Sequence, residues 1–189
     1  MGSRVLEERI NVSSSYLSSS SIYESLLPNV RDSLTYEQKE FVRRLDEFEA
    51  PYLQEKLLKD SKFNSQEEYQ RAFVEFKKYV ILDKLTGNSP IGMASVKVDE
   101  LWHQLILFTK EYSKFCNEIQ GYFLHHSPHT SQTPIGKRKE GHLNFVRSYK
   151  ELFGEIPSIW NVKSDSDPCD ACGPDSCAPD CSFDPCNAE

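Results

Sequence analysis

Apolar side chains along the middle of the chain recur every three or four residues, which is the spacing of an amphipathic α-helix. Two capping signals predict where such helices begin. Thr35 with Gln38 and Ser65 with Glu68 have the spacing of capping boxes, in which side chains satisfy free backbone N–H groups. The alternation typical of β-hairpins does not occur between residues 35 and 153. The pattern predicts an all-α fold with no sheet of consequence.

The stretch from Ser95 to about Ile119 predicts the helix around which the domain is organised. Ser95 is a residue type favoured at helix N-caps. Apolar residues cover one broad arc of this helix, and two more lie on the opposite side, so the helix is expected to be covered on both sides. We therefore expect a compact helical domain around a central buried helix, with Trp102 and Phe108 inside it.

The two ends of the chain differ in composition from the middle. Residues 1–32 are rich in serine and lack a sustained apolar period, which predicts a flexible arm. Residues 33–162 form the predicted helical domain, with a last helix from about Glu140 to Phe153 and with Pro157–Trp160 folded back onto it. Residues 163–189 are rich in cysteine and aspartate, and we expect a disordered tail that does not pack on the domain.

Charge and hydropathy narrow the classes of partner. A net charge of −7 argues against nucleic acid, because phosphate binding relies on clustered lysine and arginine. No apolar run approaches the ~20 residues that a membrane span needs. The first residues lack the apolar block of a secretory signal, which predicts a cytoplasmic protein. The sequence leaves open a protein partner and the oligomeric state.

Candidate metal ligands lie on the central helix and just after it. Asp99 and His103 are one helical turn apart, so a carboxylate and an imidazole can share a metal, or can simply pair with each other. After Gly121 the chain must turn, and an extended return can bring His125 or His126 back toward His103. Cys116 is excluded as a ligand, because on a straight helix it lies ~20 Å beyond His103 and on the opposite side.

The tail contains a second group of candidate ligands. Its cysteines are Cys169, Cys172, Cys177, Cys181 and Cys186, surrounded by residues that cannot build a core. The Cys169 and Cys172 pair is a common half of a zinc site, and thiolates also suit Cu⁺. Five is an odd number for internal disulfides. Metal binding is the leading interpretation, with redox or covalent modification, or no fixed chemistry, as the alternatives.

The same residues carry a resemblance to a known family. They are Asp99, Trp102, His103, Tyr112, Phe115, Cys116, Gly121, Phe123, Leu124, His125, His126 and Pro128, with weaker matches from about residue 40 to 160. In this pattern the chain resembles the glycine-rich domain-containing protein-like family, bacterial members of which often end in a glycine- and cysteine-rich tail. The resemblance implies a helical fold rather than a reaction. Some members have a second histidine where this chain has Leu105.

Three functions remain open at this point. The first is a metal-binding protein that handles or senses zinc or copper. The second is a protein-interaction module in which any metal is structural. The third is a metal-dependent enzyme of unknown reaction, in which Asp99, His103 and His126 hold a metal ion with an open position for water. The sequence supplies no clear nucleophile or general base for a reaction.

Overall fold

The segments with a helical spacing of apolar residues form helices in the computed structural model. The model describes residues 21–87, 89–128 and 133–162. Within these ranges there are eight α-helices, a π-helical turn and a 3-10 turn, and there is no strand, so the all-α prediction is confirmed. The α-helices are α1 (Ile22–Ser25), α2 (Pro28–Ser33), α3 (Tyr36–Asp46), α4 (Pro51–Lys59), α5 (Gln66–Leu85), α6 (Val96–Leu107), α7 (Thr109–Phe115) and α8 (Ile135–Phe153). The π-helical turn is Cys116–Gln120, and the 3-10 turn is Ser158–Trp160.

One of the two predicted capping boxes is complete. Thr35 Oγ1 accepts the Gln38 N–H at 3.2 Å, and Gln38 Oε1 accepts the Thr35 N–H at 2.9 Å. At the start of α5, Ser65 Oγ accepts the Glu68 N–H at 3.1 Å, as predicted. The Glu68 carboxylate, however, accepts the N–H of Asn64 instead of closing the box on Ser65.

Helix α5 occupies the centre of the domain and packs against α1, α3, α4, α6 and α8. Phe76, Val80, Ile81 and Leu82 are fully buried, and these side chains point to more than one side of the helix. Burial on several sides is typical of a core helix, whereas a surface helix buries one stripe. A central buried helix is therefore present, but it is α5 and not the predicted helix that begins after Ser95.

The helix predicted from Ser95 to about Ile119 is broken at Phe108. Ser95 caps α6 as expected, through its hydroxyl and the Val98 N–H. Phe108 has φ −80° and ψ 67°, which is not helical, and α7 starts at the next residue. Phe108 packs edge-on against Tyr52 at 4.9 Å and is only half-buried, whereas Trp102 is buried as predicted. The break lets α7 fold back toward α6.

The ends of the described chain pack on the domain. Ile22 and Leu26 are buried, so residues 21–32, which were assigned to the flexible arm, pack on the domain through these two side chains. The apolar residues of this segment are too few to show a sustained helical period, because α1 is only one turn long. Residues 1–20 and 163–189, which include the predicted tail, lie outside the described residues. No helix in the described ranges is both long enough and apolar enough to cross a membrane.

A buried carboxylate holds the C-terminal end in place. Glu75 on α5 accepts hydrogen bonds from the Tyr149 hydroxyl at 2.7 Å, from Trp160 Nε1 at 2.6 Å and from Lys78 Nζ at 2.9 Å. Trp160 is fully buried, which confirms that the segment after α8 folds back. We call Glu75, Lys78, Tyr149 and Trp160 the Glu75 cluster.

Helix α8 begins at Ile135, five residues before the predicted start at Glu140. Near its first turns it touches the loop that leads into α6. The Gly92 N–H donates to the Gly141 carbonyl at 2.9 Å, and a Cβ added to Gly92 would lie only 3.1 Å from the Gly141 carbonyl carbon. This backbone-to-backbone contact defines one wall of a cleft beside α6.

Candidate metal centre

Asp99 and His103 project from the first two turns of α6. Because four residues make about one helical turn, the two side chains lie on the same face. Nδ1 of His103 is 3.5 Å from Oδ2 of Asp99. Asp99 is in the first turn of the helix, where the partial positive charge of the helix N-terminus stabilises a carboxylate. The helix therefore places a carboxylate beside an imidazole.

A short return segment brings a second imidazole to the same place. The π-helical turn ends at Gly121, whose φ of 82° is a left-handed conformation that favours glycine. The chain then runs without regular structure through residues 122–128. At His126 it reaches Asp99 again, where Nε2 of His126 is 2.8 Å from Oδ1 of Asp99.

The return segment is held by a buried hydrogen-bonded relay. The Tyr112 hydroxyl accepts from Trp102 Nε1 at 3.1 Å and donates to the Leu124 carbonyl. All three residues are buried. On a straight helix Trp102 and Tyr112 would be ~15 Å apart along the axis, so this contact depends on the break at Phe108. The relay fixes the backbone two residues before His126.

Together the three side chains form a compact donor set, which we call the Asp99 cluster. One donor atom each from Asp99, His103 and His126 can be chosen so that all three lie within 4.8 Å of one another. The two imidazole rings are 4.4 Å apart between centroids. An ionised carboxylate can only accept, so the contact is a hydrogen bond when the His126 ring is the tautomer with its hydrogen on Nε2, which then donates to Oδ1 of Asp99.

Burial is graded across the Asp99 cluster. The His126 side chain is 10% exposed, Asp99 is 31% exposed, and His103 is 47% exposed. The Trp102 ring meets His126 edge-on, with 4.5 Å between ring centroids. His126 is therefore fixed by packing as well as by its hydrogen bond, while His103 forms the side of the cluster that is open to solvent.

Asp99 and His126 also line a cleft of about 1190 Å³. Its walls are the end of α5, the loop before α6, the return segment and the first half of α8. Apolar lining residues include Ile91, Met93 and Leu124, and Asn161 lines the cleft where the chain leaves the domain. The cleft is somewhat larger than the ~300–1,000 Å³ of most small-molecule sites and has the mixed apolar and polar lining of such sites.

Four titratable groups that line the cleft have shifted pKa values, and burial raises those of the Tyr79 and Tyr122 hydroxyls. Burial raises the pKa of the Asp83 carboxyl, although hydrogen bonds from Tyr122 and Gln120 and the charge of Lys84 act in the opposite direction. Burial lowers the pKa of His142 on α8. These shifts show that parts of the cleft are poorly solvated, where an ion or a polar ligand feels stronger electrostatic interactions than in water.

The structure brings together some of the candidate ligands that the sequence indicated and leaves others apart. Asp99 and His103 converge with His126, as predicted. His125 does not join them: it is exposed and packs near Phe123, with ring centroids 4.9 Å apart. Adjacent residues in an extended segment point to opposite sides, which explains why only one histidine of the pair takes part. The role of these residues as metal ligands stays a prediction.

Cys116 is buried and is not part of the Asp99 cluster, as expected. The argument for excluding it assumed a straight helix, and that premise was wrong. The five tail cysteines lie outside the described residues. Sequence reasoning missed the role of Tyr112. Its position ten residues after Trp102 gives no signal unless the break at Phe108 is known.

A comparison with family models places the site within a family. Residues 37–149 match the sequence model of the UCP032817-like family, and this range includes the whole Asp99 cluster. No curated protein and no solved structure matches the chain. The match does not bear on the resemblance to the glycine-rich domain-containing protein-like family, which stays a prediction.

Proposed function

The chain belongs to the UCP032817-like family, and we propose that it binds a divalent transition-metal ion, Zn²⁺ first among them, through Asp99, His103 and His126. One observation carries the proposal: residues from α6 and from the return segment bring three donor atoms within 4.8 Å of one another. Two imidazoles and one carboxylate form a ligand set that suits zinc or iron(II).

The present distances lie close to those a bound ion would require. Two ligands at ~2.0–2.1 Å from a tetrahedral zinc ion are ~3.3 Å apart. The His126–Asp99 distance of 2.8 Å would open slightly, and the widest separation, within 4.8 Å, would close by ~1.5 Å. The exposed His103 side chain can make this movement by a change of rotamer. The ion would take the place of the proton between His126 Nε2 and Asp99; that proton would leave to solvent while Nδ1 takes one up, so that the ring stays neutral and binds through the Nε2 lone pair.

Rigid support of the donors strengthens the proposal. Loss of an outer contact that orients a metal ligand typically costs ~10–100-fold in metal affinity. Trp102 packs against the His126 ring, and the Tyr112 hydroxyl holds the Leu124 carbonyl. Two of the three ligands are therefore positioned before an ion arrives, on a helix and on a segment tied to that helix.

A zinc titration tests the proposal without interference from the tail. We would use the full-length chain with all five tail cysteines changed to serine, and measure zinc by calorimetry. One ion per chain is expected. Since losing an outer-shell partner already costs ~10–100-fold in affinity, His126→Ala is expected to cost more than ~100-fold. His125→Ala is the matched control, because the neighbouring imidazole lies outside the Asp99 cluster, and it should leave the affinity unchanged.

Two results would contradict the proposal. One is the absence of zinc binding by the serine-substituted chain. The other is an equal loss of affinity in His125→Ala and His126→Ala, which would indicate unspecific surface binding.

The cleft favours a second candidate function, a metal-dependent reaction in which bound water is activated. Three protein ligands leave a coordination position free, as in catalytic zinc sites, and Asp99 and His126 line a cleft large enough for a small substrate. The test is to load the serine-substituted chain with Co²⁺ and add azide. An accessible position predicts a shift of the cobalt absorption bands, and an unchanged spectrum would exclude it.

We further propose that the protein works in the cytoplasm, where thiols stay reduced. The buried Cys116 is a free thiol in the structure. In such a compartment the five tail cysteines would be available as metal ligands rather than paired in disulfides.

A further inference from the structure

The cleft contains a second carboxylate, Asp83, which the proposed metal centre does not use. Asp83 is half-buried near the end of α5 and lines the cleft. Its carboxylate accepts hydrogen bonds from the Tyr122 hydroxyl and, at 3.0 Å, from Gln120 Nε2, and both bonds end on Oδ2. Within the described ranges no donor bonds to Oδ1. This oxygen is therefore an acceptor that a molecule in the cleft can use.

Asp83 also has no cation in direct contact among the residues that the structure describes. The adjacent Lys84 donates to the Gln120 carbonyl at 2.7 Å, and its Nζ lies 4.8 Å from the centre of the Tyr122 ring. Burial raises the pKa of Asp83, and the hydrogen bonds and the charge of Lys84 offset only part of that rise. The carboxylate is therefore incompletely compensated within the fold, and a positive charge at Oδ1 would stabilise its ionised form.

The remaining lining of the cleft suits an organic cation. Aromatic faces attract ammonium groups, and apolar side chains bury hydrocarbon. The cleft offers both, through the aromatic residues Tyr79, Trp102 and Tyr122 and the apolar residues Ile91, Met93 and Leu124. Its volume of about 1190 Å³ has room for a whole small molecule and not only for an ion. A primary ammonium group can donate to Oδ1 of Asp83 in a charge-assisted hydrogen bond, which is roughly twice as strong as a neutral one.

Asp99, the other carboxylate of the cleft, is less suited to an ammonium group. Its two oxygens face imidazoles, Oδ1 toward His126 Nε2 at 2.8 Å and Oδ2 toward His103 Nδ1 at 3.5 Å. Burial, and then the charges of Asp83 and Asp99, raise the pKa of the Tyr79 hydroxyl, so this hydroxyl lies near both carboxylates. A molecule bound at Asp83 would therefore extend along the cleft toward the Asp99 cluster.

We propose that the cleft binds a small primary amine, with its ammonium group on Oδ1 of Asp83 and its apolar body against the aromatic and apolar lining. Tyr122 and Gln120 hold the carboxylate through Oδ2 while the ammonium group donates to Oδ1. The protein alone forms this site, so the inference does not depend on the proposed metal centre. If the metal centre acts on a substrate, the inference makes a primary amine the class of that substrate.

Two ligands of nearly the same shape test the proposal. Phenethylamine is positively charged at neutral pH, as a lysine side chain is, whereas 2-phenylethanol is neutral. Each would be titrated into the reduced, isotope-labelled full-length chain in the presence of EDTA, and NMR would follow the backbone amide signals of Gly92 and Met93. The amine is expected to bind at least ~10-fold more tightly than the alcohol, because only the amine makes a charge-assisted hydrogen bond.

Asp83→Asn should abolish this preference for the amine. The amide keeps an acceptor for Tyr122 and Gln120, but it presents an N–H group where the carboxylate presented an oxygen to the ligand. The variant should bind the alcohol as the wild type does, which would show that the cleft has kept its shape. Glu118→Gln is the matched control, because it removes one negative charge from an exposed side chain outside the cleft, and it should keep the full preference.

A second measurement on the wild-type chain does not require a variant that folds. Phenethyltrimethylammonium keeps the positive charge but has no N–H group to donate, so it should bind less tightly than phenethylamine. Equal or tighter binding of the quaternary ligand would overturn the hydrogen bond to Asp83.

Three further results would overturn the proposal. They are equal affinities of the amine and the alcohol for the wild-type chain, an unchanged preference in Asp83→Asn, and a preference that is lost in Asp99→Asn but kept in Asp83→Asn. The last result would assign the ammonium group to the Asp99 cluster. Because EDTA keeps metal ions away, failure of the proposed zinc site would leave all of these measurements unchanged.

Discussion

Two carboxylates in this molecule each join parts of the chain that are distant in sequence, but they do so in different ways. Glu75 is buried and accepts from Tyr149, Trp160 and Lys78. Asp99 is partly exposed and faces two imidazoles, His103 and His126. Glu75 joins α5 to the C-terminal end, and Asp99 joins α6 to the return segment.

The difference lies in the partners of each carboxylate. Indole N–H and a buried tyrosine hydroxyl keep their protons, and burial together with the Glu75 charge raises the pKa of Tyr149 further. These donors can do little except hold Glu75. A neutral imidazole can carry its proton on either ring nitrogen and present a lone pair on the other, which is the form that the proposed metal site requires. The first arrangement stabilises the fold, and the second has partners whose protons can move.

Removal of the Glu75 carboxylate should have the largest effect on stability. Glu75→Ala leaves the Lys78 charge and two buried donors without their acceptor, and breaking a buried, hydrogen-bonded ion pair costs about 3–5 kcal/mol. Urea denaturation would measure the free energy of unfolding. Glu118→Ala, which removes an exposed partner of Lys114 at 3.8 Å, is the control and should cost less than ~0.5 kcal/mol.

A loss below about 1 kcal/mol for Glu75→Ala would show that the Glu75 cluster is not structural in the sense argued above. Glu75 and Asp99 would then no longer differ in their contribution to stability as described above.

Zinc should stabilise the molecule through the Asp99 cluster alone. At a free zinc concentration 100 times the dissociation constant, binding to the folded state adds ~2.7 kcal/mol. We would measure this in the chain with five serines, so that the unfolded state offers no thiols. Asp99→Asn should abolish the zinc effect on the melting temperature. Stabilisation by zinc that persists in this variant would assign the metal to another site.

Tyr112→Phe should cost about 2 kcal/mol, because it leaves the buried Trp102 N–H and Leu124 carbonyl without a partner. It should also weaken zinc binding, since the segment before His126 is no longer held. Tyr36→Phe changes an exposed tyrosine and serves as the control. If Tyr112→Phe lowers stability but leaves zinc affinity intact, the relay supports the fold without positioning His126.

The smallest effect is expected for His142, a cleft-lining residue of α8, on the pH dependence of stability. Burial lowers the pKa of His142 below its usual value of 6.5, so the unfolded chain takes up this proton more readily than the folded chain. Stability from this group is present above pH 6.5 and is lost as the pH falls through the folded-state pKa. His142→Asn should therefore flatten the decrease in melting temperature between about pH 7 and pH 5. Parallel curves for the two chains would contradict this assignment.

Much of the fold could be predicted because helical period and capping are local properties of the sequence. The start of α3 at Thr35 and the cap at Ser95 follow from a few adjacent residues. The convergence of Asp99 and His103 also follows from one helical turn. His126 reaches these two residues because the chain turns at Gly121, which has a left-handed conformation. A glycine in the sequence is enough to suggest such a turn.

The rest depended on contacts between distant residues. Phe108 has no breaker sequence around it, and its non-helical conformation accompanies packing against Tyr52 from α4. Ile22 and Leu26 are too few to show a period, yet they fill space left by other helices. From the sequence, Glu75 would be assigned to the exposed face of α5. Its burial becomes clear only when Tyr149 and Trp160 are seen to donate hydrogen bonds to it. Tertiary packing determines the conformation and burial of these residues, and a single sequence does not reveal that packing.

The contact between Gly92 and Gly141 has a consequence for how sequences of this type can diverge. The two backbones touch, so a side chain at Gly92 would press on α8, and one at Gly141 would come within 3.2 Å of the Gly92 nitrogen. A side chain at either position requires the loop and the helix to move apart by a few tenths of an ångström, and that movement displaces one wall of the cleft. The two positions are therefore coupled: a substitution that separates the backbones at one glycine also relieves the crowding at the other, so the second change should cost less than the first.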